Sequence, residues 1–415
     1  MDWLKRIIRR FLKKHGKLRV HVRRIHVAEK RFLYRVHASK TKMDEKTVIF
    51  ETFMGRQYGD NPRAIYESMI KDPRFSDFRY IWVLRDSEKT EVYPQLQGVD
   101  TVARTDRDYY SKVASAKYVI TNSNLDYGIT KASGQIFLQT WHGTPLKRLR
   151  CDIEAEYGNA INSIEEIHSK NDIDAVRYDY FISPSPFASD RFRSAFDLEK
   201  LGKSDIIIET GYPRNDILYN YTEDDVCRIK EELAIPEGKK VILYAPTFRD
   251  NSYDGQDYGY DLNLDMDRLK EVLGDEYVIL FRVHYFVANQ FDFTRYEGFV
   301  YNVTELDDIS LLYVISAMLI TDYSSVFFDF ANLGRPMIFY MYDKEQYANE
   351  IRGFYLSLDE LPGPIVTTED RLIEEIRNHD EDEFAEKYRR FNAKYNPLDD
   401  GHASERVIDI MFEKV

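Results

Sequence analysis

A histidine near the middle of the chain suggests the first chemistry. Residues 135–140 are a short apolar run that leads into the turn Trp-His-Gly-Thr-Pro at 141–145. Such a run, closed by glycine and proline, predicts an inner strand of a parallel sheet. Open α/β sheets bind ligands at the carboxyl ends of their strands. His142 lies at that edge, and a histidine with an ordinary pKa of about 6.5 is suited to be a general base. The alternative is a purely structural histidine.

A carboxylate is predicted at the same sheet edge. Glu51 lies near the end of another strand-like run, residues 47–53. It would either orient His142 and balance its charge, or be an exposed acid in a loop. The sequence leaves both interpretations open.

A second set of polar residues follows three predicted strands later in the chain. Side chains at the carboxyl ends of parallel strands converge on one sheet edge. The set has the hydroxyls and cations that suit phosphate, and its members are Thr247, Arg249, Arg282, His284, Ser324 and Ser325. The two serines are predicted to open a helix that Gly334 closes, which offers free N–H groups to an anion. Asp329, one turn further along, would bind a ribose hydroxyl or be a solvated acid.

Several familiar kinds of site are missing from the sequence. No GxGxxG motif follows a predicted strand and no P-loop is present, which argues against a dinucleotide-dependent dehydrogenase and an NTPase. Asp265 and Asp267 form a DxD pair in a polar run, and we interpret them as surface residues. Cys151 and Cys227 lie far apart and predict reduced thiols. We therefore expect no metal and no cofactor.

The elements that would position these residues alternate between strands and helices. The 415 residues, 43% of them hydrophobic, suffice for two domains with full cores. Strands that alternate with helices imply βαβ units and parallel sheets. Asn61 is predicted to cap a helix that Pro62 begins. The predicted strands are residues 47–53, 80–84, 118–121, 135–140, 178–183, 206–210, 240–245, 277–284, 317–321 and 337–340.

The predicted fold class is α/β, with two Rossmann-like domains that face a cleft. We divide the chain into a basic arm at 1–45, a first domain at 46–220 and a second domain at 221–380. Residues 381–415 are predicted to be helices that pack back on the first domain. The phosphate-suited residues belong to the second domain and His142 to the first. This division suits a nucleotide-donor transferase that holds its donor on the second domain and its acceptor and base on the first.

The first 40 residues differ in charge from the remainder of the chain. They contain 14 lysines and arginines and two acids, whereas the whole chain has a net charge of −13. Apolar residues between Trp3 and Leu12 share one helical face and basic residues the other, which is typical of a helix in a membrane interface. We expect residues 1–24 to bind an anionic membrane surface. Docking on a partner or on the protein's own body is the alternative, and the acidic remainder argues against nucleic acid. No apolar run approaches the roughly 20 residues that span a bilayer.

Seven short motifs occur in order along both predicted domains. They are NP at 61–62, WHGTPLK at 141–147, SPS at 183–185, GYPRND at 211–216, APTFR at 245–249, RVH at 282–284 and TDYSS at 321–325. In this order the sequence resembles the CDP-glycerol glycerophosphotransferase family, whose members build teichoic acids at the cytosolic face of the membrane. The resemblance runs from about residue 46 to residue 380.

The resemblance implies a GT-B architecture, a CDP-alditol donor, an undecaprenyl-diphosphate-linked saccharide acceptor and peripheral attachment to the cytoplasmic face of the membrane. It makes His142 the catalytic base, and His284, Ser324 and Ser325 contacts of the donor phosphates. Glu51 is the other residue that we expect to be catalytic, through its predicted place beside His142. The other expected donor contacts are Thr247, Arg249, Arg282, Thr321, Asp322 and Asp329. The expected acceptor contacts are Asn61, Gly143, Thr144 and Lys147.

The expected reaction transfers glycerol phosphate from CDP-glycerol to an acceptor hydroxyl and releases CMP. A CDP-ribitol or nucleotide-sugar transferase, and a non-catalytic membrane scaffold, are the alternatives. The family's polymerases often carry an additional N-terminal domain, whereas only the basic arm precedes the transferase domains in this sequence. Priming by one unit and polymerisation therefore both stay open. A basic arm on an acidic body is also compatible with a homo-oligomer.

Overall fold

The chain folds around two parallel β-sheets. The structure, a computed structural model, describes residues 16–85, 93–154, 163–247, 264–283, 288, 291–344, 353–379 and 381–412. The strands are β1 (Asp44–Glu51), β2 (Arg79–Val83), β3 (Asp100–Val102), β4 (Ala116–Thr121), β5 (Ile136–Gln139), β6 (Tyr180–Ser183), β7 (Ile207–Glu209), β8 (Lys240–Tyr244), β9 (Tyr277–Phe281), β10 (Val300–Asn302), β11 (Met318–Thr321), β12 (Met337–Tyr340) and β13 (Ile365–Val366). The first sheet has the order β3-β2-β1-β4-β5-β6-β7 and the second β10-β9-β8-β11-β12-β13. Neighbouring strands in both sheets are parallel.

The predicted α/β class with two Rossmann-like sheets is confirmed. Each predicted strand is present, with ends that differ by a few residues; β9, for example, ends at Phe281 and does not reach residue 284. Every residue of β9 is buried, as expected for a strand covered on both faces. The short strands β3, β10 and β13 were not predicted, because two or three residues carry too little pattern to recognise.

Helices connect the strands and cover the sheets. They are α1 (Gly16–Ala38), α2 (Asp60–Met69), α3 (Tyr109–Ser115), α4 (Ile164–Ala175), α5 (Pro186–Ala195), α6 (Ile217–Asn220), α7 (Glu223–Glu232), α8 (Met266–Leu273), α9 (Ile309–Ile315), α10 (Val326–Phe330), α11 (Glu369–Asn378), α12 (Glu381–Tyr395) and α13 (Ala403–Met411). The predicted cap at Asn61 is wrong: Gly59 precedes α2, and Asn61 lies buried in its first turn. Within the described ranges, no helix combines the length and the apolar character needed to cross a bilayer.

Part of the predicted basic arm packs on the first domain. Residues 3–14, which carry the predicted amphipathic pattern, lie outside the described residues. In α1, Arg19 Nη2 donates to the Glu166 carboxylate at 2.6 Å, and Arg23 Nη1 donates to the same group at 3.1 Å. Tyr34 is 2% exposed within the core of the first domain. The alternative of docking on the protein's own body therefore holds for α1.

The two C-terminal helices divide between the domains. Phe391 and Tyr395 of α12 lie in a core cluster of the second sheet. Val407 and Met411 of α13 lie in a core cluster of the first sheet. Helix α13 thus packs on the first domain. Helix α12 packs mainly on the second domain and also touches α5 of the first, where the rings of Tyr395 and Phe187 lie 4.8 Å apart. This crossing of the chain ties the two domains together.

Candidate active site between the two sheets

His142 follows β5 in a firmly held turn. The preceding residue, Trp141, has a left-handed backbone with φ of 50°, a conformation that persists in a non-glycine residue only where the surroundings enforce it. The Trp141 N–H donates to Gln139 Oε1 at 2.9 Å. Asn61 Nδ2 donates to the carbonyls of Thr140 and Trp141, both at 3.2 Å. The buried Asn61 therefore fixes the turn that presents His142.

One hydrogen bond and two aromatic neighbours orient the His142 ring. Its Nδ1 lies 2.7 Å from the carbonyl oxygen of Asn122. Because a carbonyl oxygen can only accept, Nδ1 carries the proton and Nε2 is the basic nitrogen. Trp141 stacks on the ring at 4.2 Å between centroids, and Phe53 lies at 5.4 Å. The ring surface stays open to solvent.

The surroundings of His142 keep its imidazole neutral. Burial lowers its pKa from 6.5 to about 4; the hydrogen bond to Asn122 opposes this, and the charges of Arg214 and Arg150 reinforce it. Both the ordinary and the lowered pKa lie below 7. At pH 7 the ring is therefore uncharged, which is the state that a general base requires.

Glu51 supports His142 indirectly. Its side chain is buried, so the exposed-acid interpretation is wrong. Within the described part of the chain it makes no hydrogen bond to His142; its carboxylate pairs with Arg104. Arg104 Nη2 donates to the carbonyl of Asn124 at 2.7 Å. Since Asn122 and Asn124 share the loop after β4, Glu51 stabilises the loop that orients the histidine.

Thr321 and Asp322 organise the facing edge of the second sheet. Thr321 Oγ1 donates to the carbonyl of Ala245 at 2.8 Å. Asp322 Oδ1 accepts from the backbone N–H groups of Thr247, at 2.8 Å, and of Tyr323. Both side chains are buried. They therefore hold the loops after β8 and β11 against each other, which shapes the predicted donor site.

The serine pair lies directly against the histidine turn. Ser324 and Ser325 are partly exposed, and α10 begins at the next residue. The predicted end of this segment at Gly334 is confirmed, since Gly334 follows a 3₁₀ turn with φ of 63°. A Cβ atom at Gly143 would lie 3.2 Å from Ser325 Oγ. Glycine thus permits the close approach of the two domains at this point.

Part of the Arg282 guanidinium is hydrogen-bonded to backbone carbonyls. Its Nη1 donates to the carbonyls of Val303 at 3.0 Å and Leu306 at 2.6 Å. Burial lowers its pKa. Arg282 therefore fixes the loop after β10 while it places positive charge near the cleft. Arg249 and His284, the other predicted cations of this edge, lie outside the described residues.

Asp329 forms an ion pair across the domain boundary. It is 5% exposed, so the solvated-acid interpretation is wrong. Its two oxygens accept from Arg214 Nη2 at 2.9 and 2.8 Å, and Asn215 Nδ2 donates to Oδ1 at 3.1 Å. Arg214 Nη1 also pairs with Asp60 at 3.3 Å, and its backbone N–H donates to Asn61 Oδ1 at 3.1 Å. These bonds hold the Asp329 carboxylate between the two domains, and its predicted ribose contact stays a prediction.

The predicted acceptor residues lie where the domains meet. Asn61 is 0% exposed and Thr144 1% exposed, so both shape the site from within. The backbone of Lys147 pairs with that of Phe354 in an antiparallel bridge between the domains. The assignment of Gly143 and Lys147 to the acceptor stays a prediction.

The DxD pair is part of the surface, as predicted. Asp265 accepts from the N–H groups of Asp267 at 3.0 Å and of Arg268 at 3.1 Å, and so caps α8. Asp267 pairs with Arg295. Among the residues that the structure describes, no cluster of three or more histidine, cysteine or acidic side chains could hold a metal ion.

Sequence reasoning missed several residues of this site. Asn122 lies in a polar run after β4, the same kind of signal that identified the clusters of the second domain. Arg214 lies inside the GYPRND motif, to which we gave no chemical role. No local pattern in the sequence marks Asp60, because its ion-pair partner, Arg214, lies 154 residues later in the chain.

Known proteins show strong similarity to this chain. The sequence profile of the family described as CDP-Glycerol:Poly(glycerophosphate) glycerophosphotransferase matches residues 32–413. The chain is 40% identical to the teichoic acid poly(glycerol phosphate) polymerase of Bacillus subtilis (strain 168), over 88% of this chain and 48% of that protein. It is 39% identical to the teichoic acid glycerol-phosphate transferase of Staphylococcus aureus (strain NCTC 8325 / PS 47), over 88% and 92% respectively. The chain thus spans about half of the first relative and most of the second.

A solved structure has the same fold. It is that of the wall teichoic acid polymerase TagF, in a histidine-to-asparagine variant soaked with CDPG. It matches with a TM-score of 0.85 at 35% identity and covers 97% of both chains. This confirms the predicted GT-B architecture. With the profile matched along nearly the whole chain, the protein belongs to the CDP-glycerol:poly(glycerophosphate) glycerophosphotransferase family.

Proposed function

We propose that this chain transfers glycerol phosphate from CDP-glycerol to a hydroxyl of an undecaprenyl-diphosphate-linked saccharide and releases CMP. The observation that carries the proposal is the approach of the His142 turn to the serine pair, where Gly143 lies against Ser325. A neutral base and partly exposed hydroxyls thereby meet across the cleft. Family membership supports the class of donor.

In the proposed step, the acceptor oxygen forms a bond to the phosphorus that carries glycerol. The bond from that phosphorus to the CMP oxygen breaks, and CMP leaves with the electron pair. The proton of the attacking hydroxyl passes to Nε2 of His142. A base within hydrogen-bond reach contributes about 10²–10⁴-fold to such a reaction.

The second domain holds the donor in this proposal. The hydroxyls of Ser324 and Ser325 contact the donor phosphates, together with Arg249 and His284 of the predicted set. Arg282 contributes fixed positive potential from its position beside β9. In phosphoryl transfer, positioning and electrostatic stabilisation lower the barrier more than a general base does. We therefore propose that these residues both position the donor and stabilise the charge that develops on it.

The first test is CMP release from CDP-glycerol by the full chain, with a synthetic lipid-linked disaccharide acceptor. The acceptor is supplied with and without a first glycerol phosphate, and products are sized by mass spectrometry. We expect CMP release with products that gain glycerol phosphate. A ladder of products identifies a polymerase and a single addition a primase. Release of CMP from CDP-ribitol alone, or no release from either donor, would overturn the proposal.

We also propose that the N-terminal region holds the enzyme on the cytoplasmic face of the membrane. Basic residues at 1–15 precede α1, and α1 itself is held to the body by Arg19 and Arg23. Its apolar side chains remain exposed at helical spacing: Leu18, Val22, Ile25, Phe32, Leu33 and Val36, each 37–66% exposed. A helix fixed by its cations with an exposed apolar stripe suits attachment to a membrane interface.

The variant Ile25→Gln/Phe32→Gln is expected to weaken binding of the full chain to vesicles of anionic lipid by about a hundredfold. Both side chains are more than half exposed, at 58% and 66%, and burial of each would contribute about 1.5–3 kcal/mol. Co-sedimentation measures the effect. The control is Ile70→Gln/Val176→Gln, since these residues are similarly exposed on the body, at 48% and 53%. Equal binding of the two variants would refute a role for the stripe on α1.

A further inference from the structure

A cavity lies beside His142, and the reaction steps proposed above do not use it. It has a volume of about 410 Å³, within the usual range for small-molecule sites. The first domain contributes Phe53, Arg56, Gln57 and Arg85, and the second contributes the segment after β10. From that segment the lining residues are Thr304, Glu305 and Asp307. Since the Phe53 ring also lies 5.4 Å from the His142 ring, the cavity adjoins the base.

The wall contributed by the first domain is held in a fixed shape. The N–H of Phe53 donates to Asn122 Oδ1 at 2.8 Å, and that of Met54 to Ser123 Oγ at 3.1 Å. The carbonyl of Gly55 accepts from the Arg85 N–H at 2.6 Å. Phe53 and Met54 both have positive φ, 45° and 61°. These bonds enforce a strained loop that places Arg56 and Arg85 together, and they tie it to the loop that orients His142.

The two arginines of this wall differ from three other arginines near the cleft. Arg63, Arg104 and Arg214 each pair with a carboxylate. Along the described stretches of the chain, Arg56 and Arg85 form no ion pair, and both are exposed. Two uncompensated guanidinium groups in a cavity suit a phosphate, which they can bind with charge-assisted hydrogen bonds.

The opposite wall offers oxygen atoms for hydroxyl groups. Asp307 Oδ2 accepts from the Tyr93 hydroxyl at 2.6 Å and from the Tyr58 N–H at 3.4 Å, so part of its carboxylate is already satisfied. Glu305 is exposed and Thr304 is partly exposed. One wall thus carries positive charge and the other carries oxygen atoms that can accept hydrogen bonds. This combination matches a polyol phosphate, in which one anionic group adjoins several hydroxyls.

The cavity is separate from the proposed donor contacts. Ser324 and Ser325 follow β11, in the interior of the second sheet, whereas Thr304 to Asp307 follow β10 at its edge. On the first domain the cavity is lined from the loops after β1 and β2, while Gly143, which meets Ser325, follows β5. A donor held at the serine pair thus leaves this cavity for the other substrate.

We propose that this cavity binds the terminal glycerol phosphate unit of the acceptor, with its phosphate on Arg56 and Arg85 and its hydroxyls toward Thr304 and Glu305. The proposal rests on the proposed function and specifies its acceptor. With this cavity the enzyme would recognise an acceptor that already ends in glycerol phosphate. The hydroxyl of that terminal unit that attacks the donor would be held near His142.

The test is the double variant Arg56→Gln/Arg85→Gln, in which two exposed side chains keep hydrogen-bonding groups but lose their charge. With an acceptor that ends in glycerol phosphate, we expect KM for the acceptor to rise about tenfold or more. We expect kcat, KM for CDP-glycerol and KM for an acceptor without the unit to change little. Arg228→Gln is the matched control, because Arg228 is an exposed arginine on α7. An unchanged acceptor KM, or a rise in KM for CDP-glycerol, would overturn the assignment.

A binding titration separates this inference from the proposed function. Calorimetry on the full chain, without any donor, would use sn-glycerol 3-phosphate, inorganic phosphate and glycerol as probes. We expect glycerol 3-phosphate to bind more tightly than either fragment, and its affinity to fall about tenfold in the double variant. Equal binding to the variant would refute the site even if the enzyme releases CMP. If the wild type binds the probe but no CMP is released from CDP-glycerol, the proposed function fails and the polyol phosphate site stands.

Discussion

Replacing His142 by alanine is expected to lower kcat for CMP release by about 10²–10⁴-fold, while CDP-glycerol still binds. The expectation rests on the position of the ring: the Asn122 carbonyl holds Nδ1 at 2.7 Å, which leaves Nε2 as the basic nitrogen. The alanine variant removes the base but keeps Gly143, Ser324 and Ser325, which adjoin the proposed donor site. The loss should therefore fall on the chemical step and not on donor affinity.

The pH dependence provides a second readout for His142. Burial lowers the pKa of this histidine from 6.5 toward about 4. As pH falls through the pKa, Nε2 takes up a proton and can no longer accept one from the acceptor. We therefore expect kcat/KM to be level near pH 7 and to decrease on the acid side, with a midpoint below 6.5. The alanine variant should lack this acid limb. A midpoint above 6.5 would contradict the lowering of the pKa by burial and by the charges of Arg214 and Arg150.

The control for His142 is His402→Ala. His402 is an exposed residue at the start of α13, and its Nδ1 lies 3.2 Å from the Glu405 carboxylate. We expect that variant to keep its turnover. Calorimetric titration with CDP-glycerol measures donor affinity in both variants. Loss of donor binding in His142→Ala would place the histidine in the donor site and remove its assignment as the base.

The sequence was sufficient for the fold and for the histidine turn, because both have local signals. The β5 run and the turn at 141–145 are contiguous, so a short window contains the strand, its end and the residue presented there. The same holds for β11 and the TDYSS motif. Parallel sheets bring such ends together, which is why their convergence could be predicted without coordinates.

The roles of Asp329 and Glu51 could not be predicted, because their partners are distant in sequence. Asp329 pairs with Arg214, 115 residues earlier, and Glu51 with Arg104, 53 residues later. An acid on a helix has the same local pattern whether it faces solvent or a buried guanidinium. Only the packing of the two domains decides between these possibilities, and their packing has no periodicity in the sequence.

The variant Arg214→Met is expected to lower the free energy of unfolding by about 3–5 kcal/mol. Arg214 is 6% exposed and pairs with both Asp60 and Asp329. Methionine fills similar space but leaves two carboxylates without their cation, and breaking a buried ion pair in this way costs far more than the pair's net contribution. Because Asp60, one of the two carboxylates left without a cation, directly precedes Asn61, whose side chain holds the histidine turn, we expect the remaining folded enzyme to turn over more slowly as well.

Urea denaturation followed by tryptophan fluorescence and by circular dichroism measures this change, and agreement between the two probes checks that the domains unfold together. Arg228→Met is the control, since Arg228 forms exposed pairs with Asp225 and Glu232 and such pairs contribute about 0–1 kcal/mol. The double variant Arg214→Met/Asp329→Asn should lose less stability than the sum of the two single variants. The asparagine removes the buried negative charge that Arg214→Met leaves without a partner, and so reduces the destabilisation. Strictly additive losses, or a loss for Arg214→Met no larger than that of the control, would mean that the ion pair is not what joins the domains. In that case the crossing of the chain through α12 and α13 would have to hold the two sheets, and the His142 turn, in place.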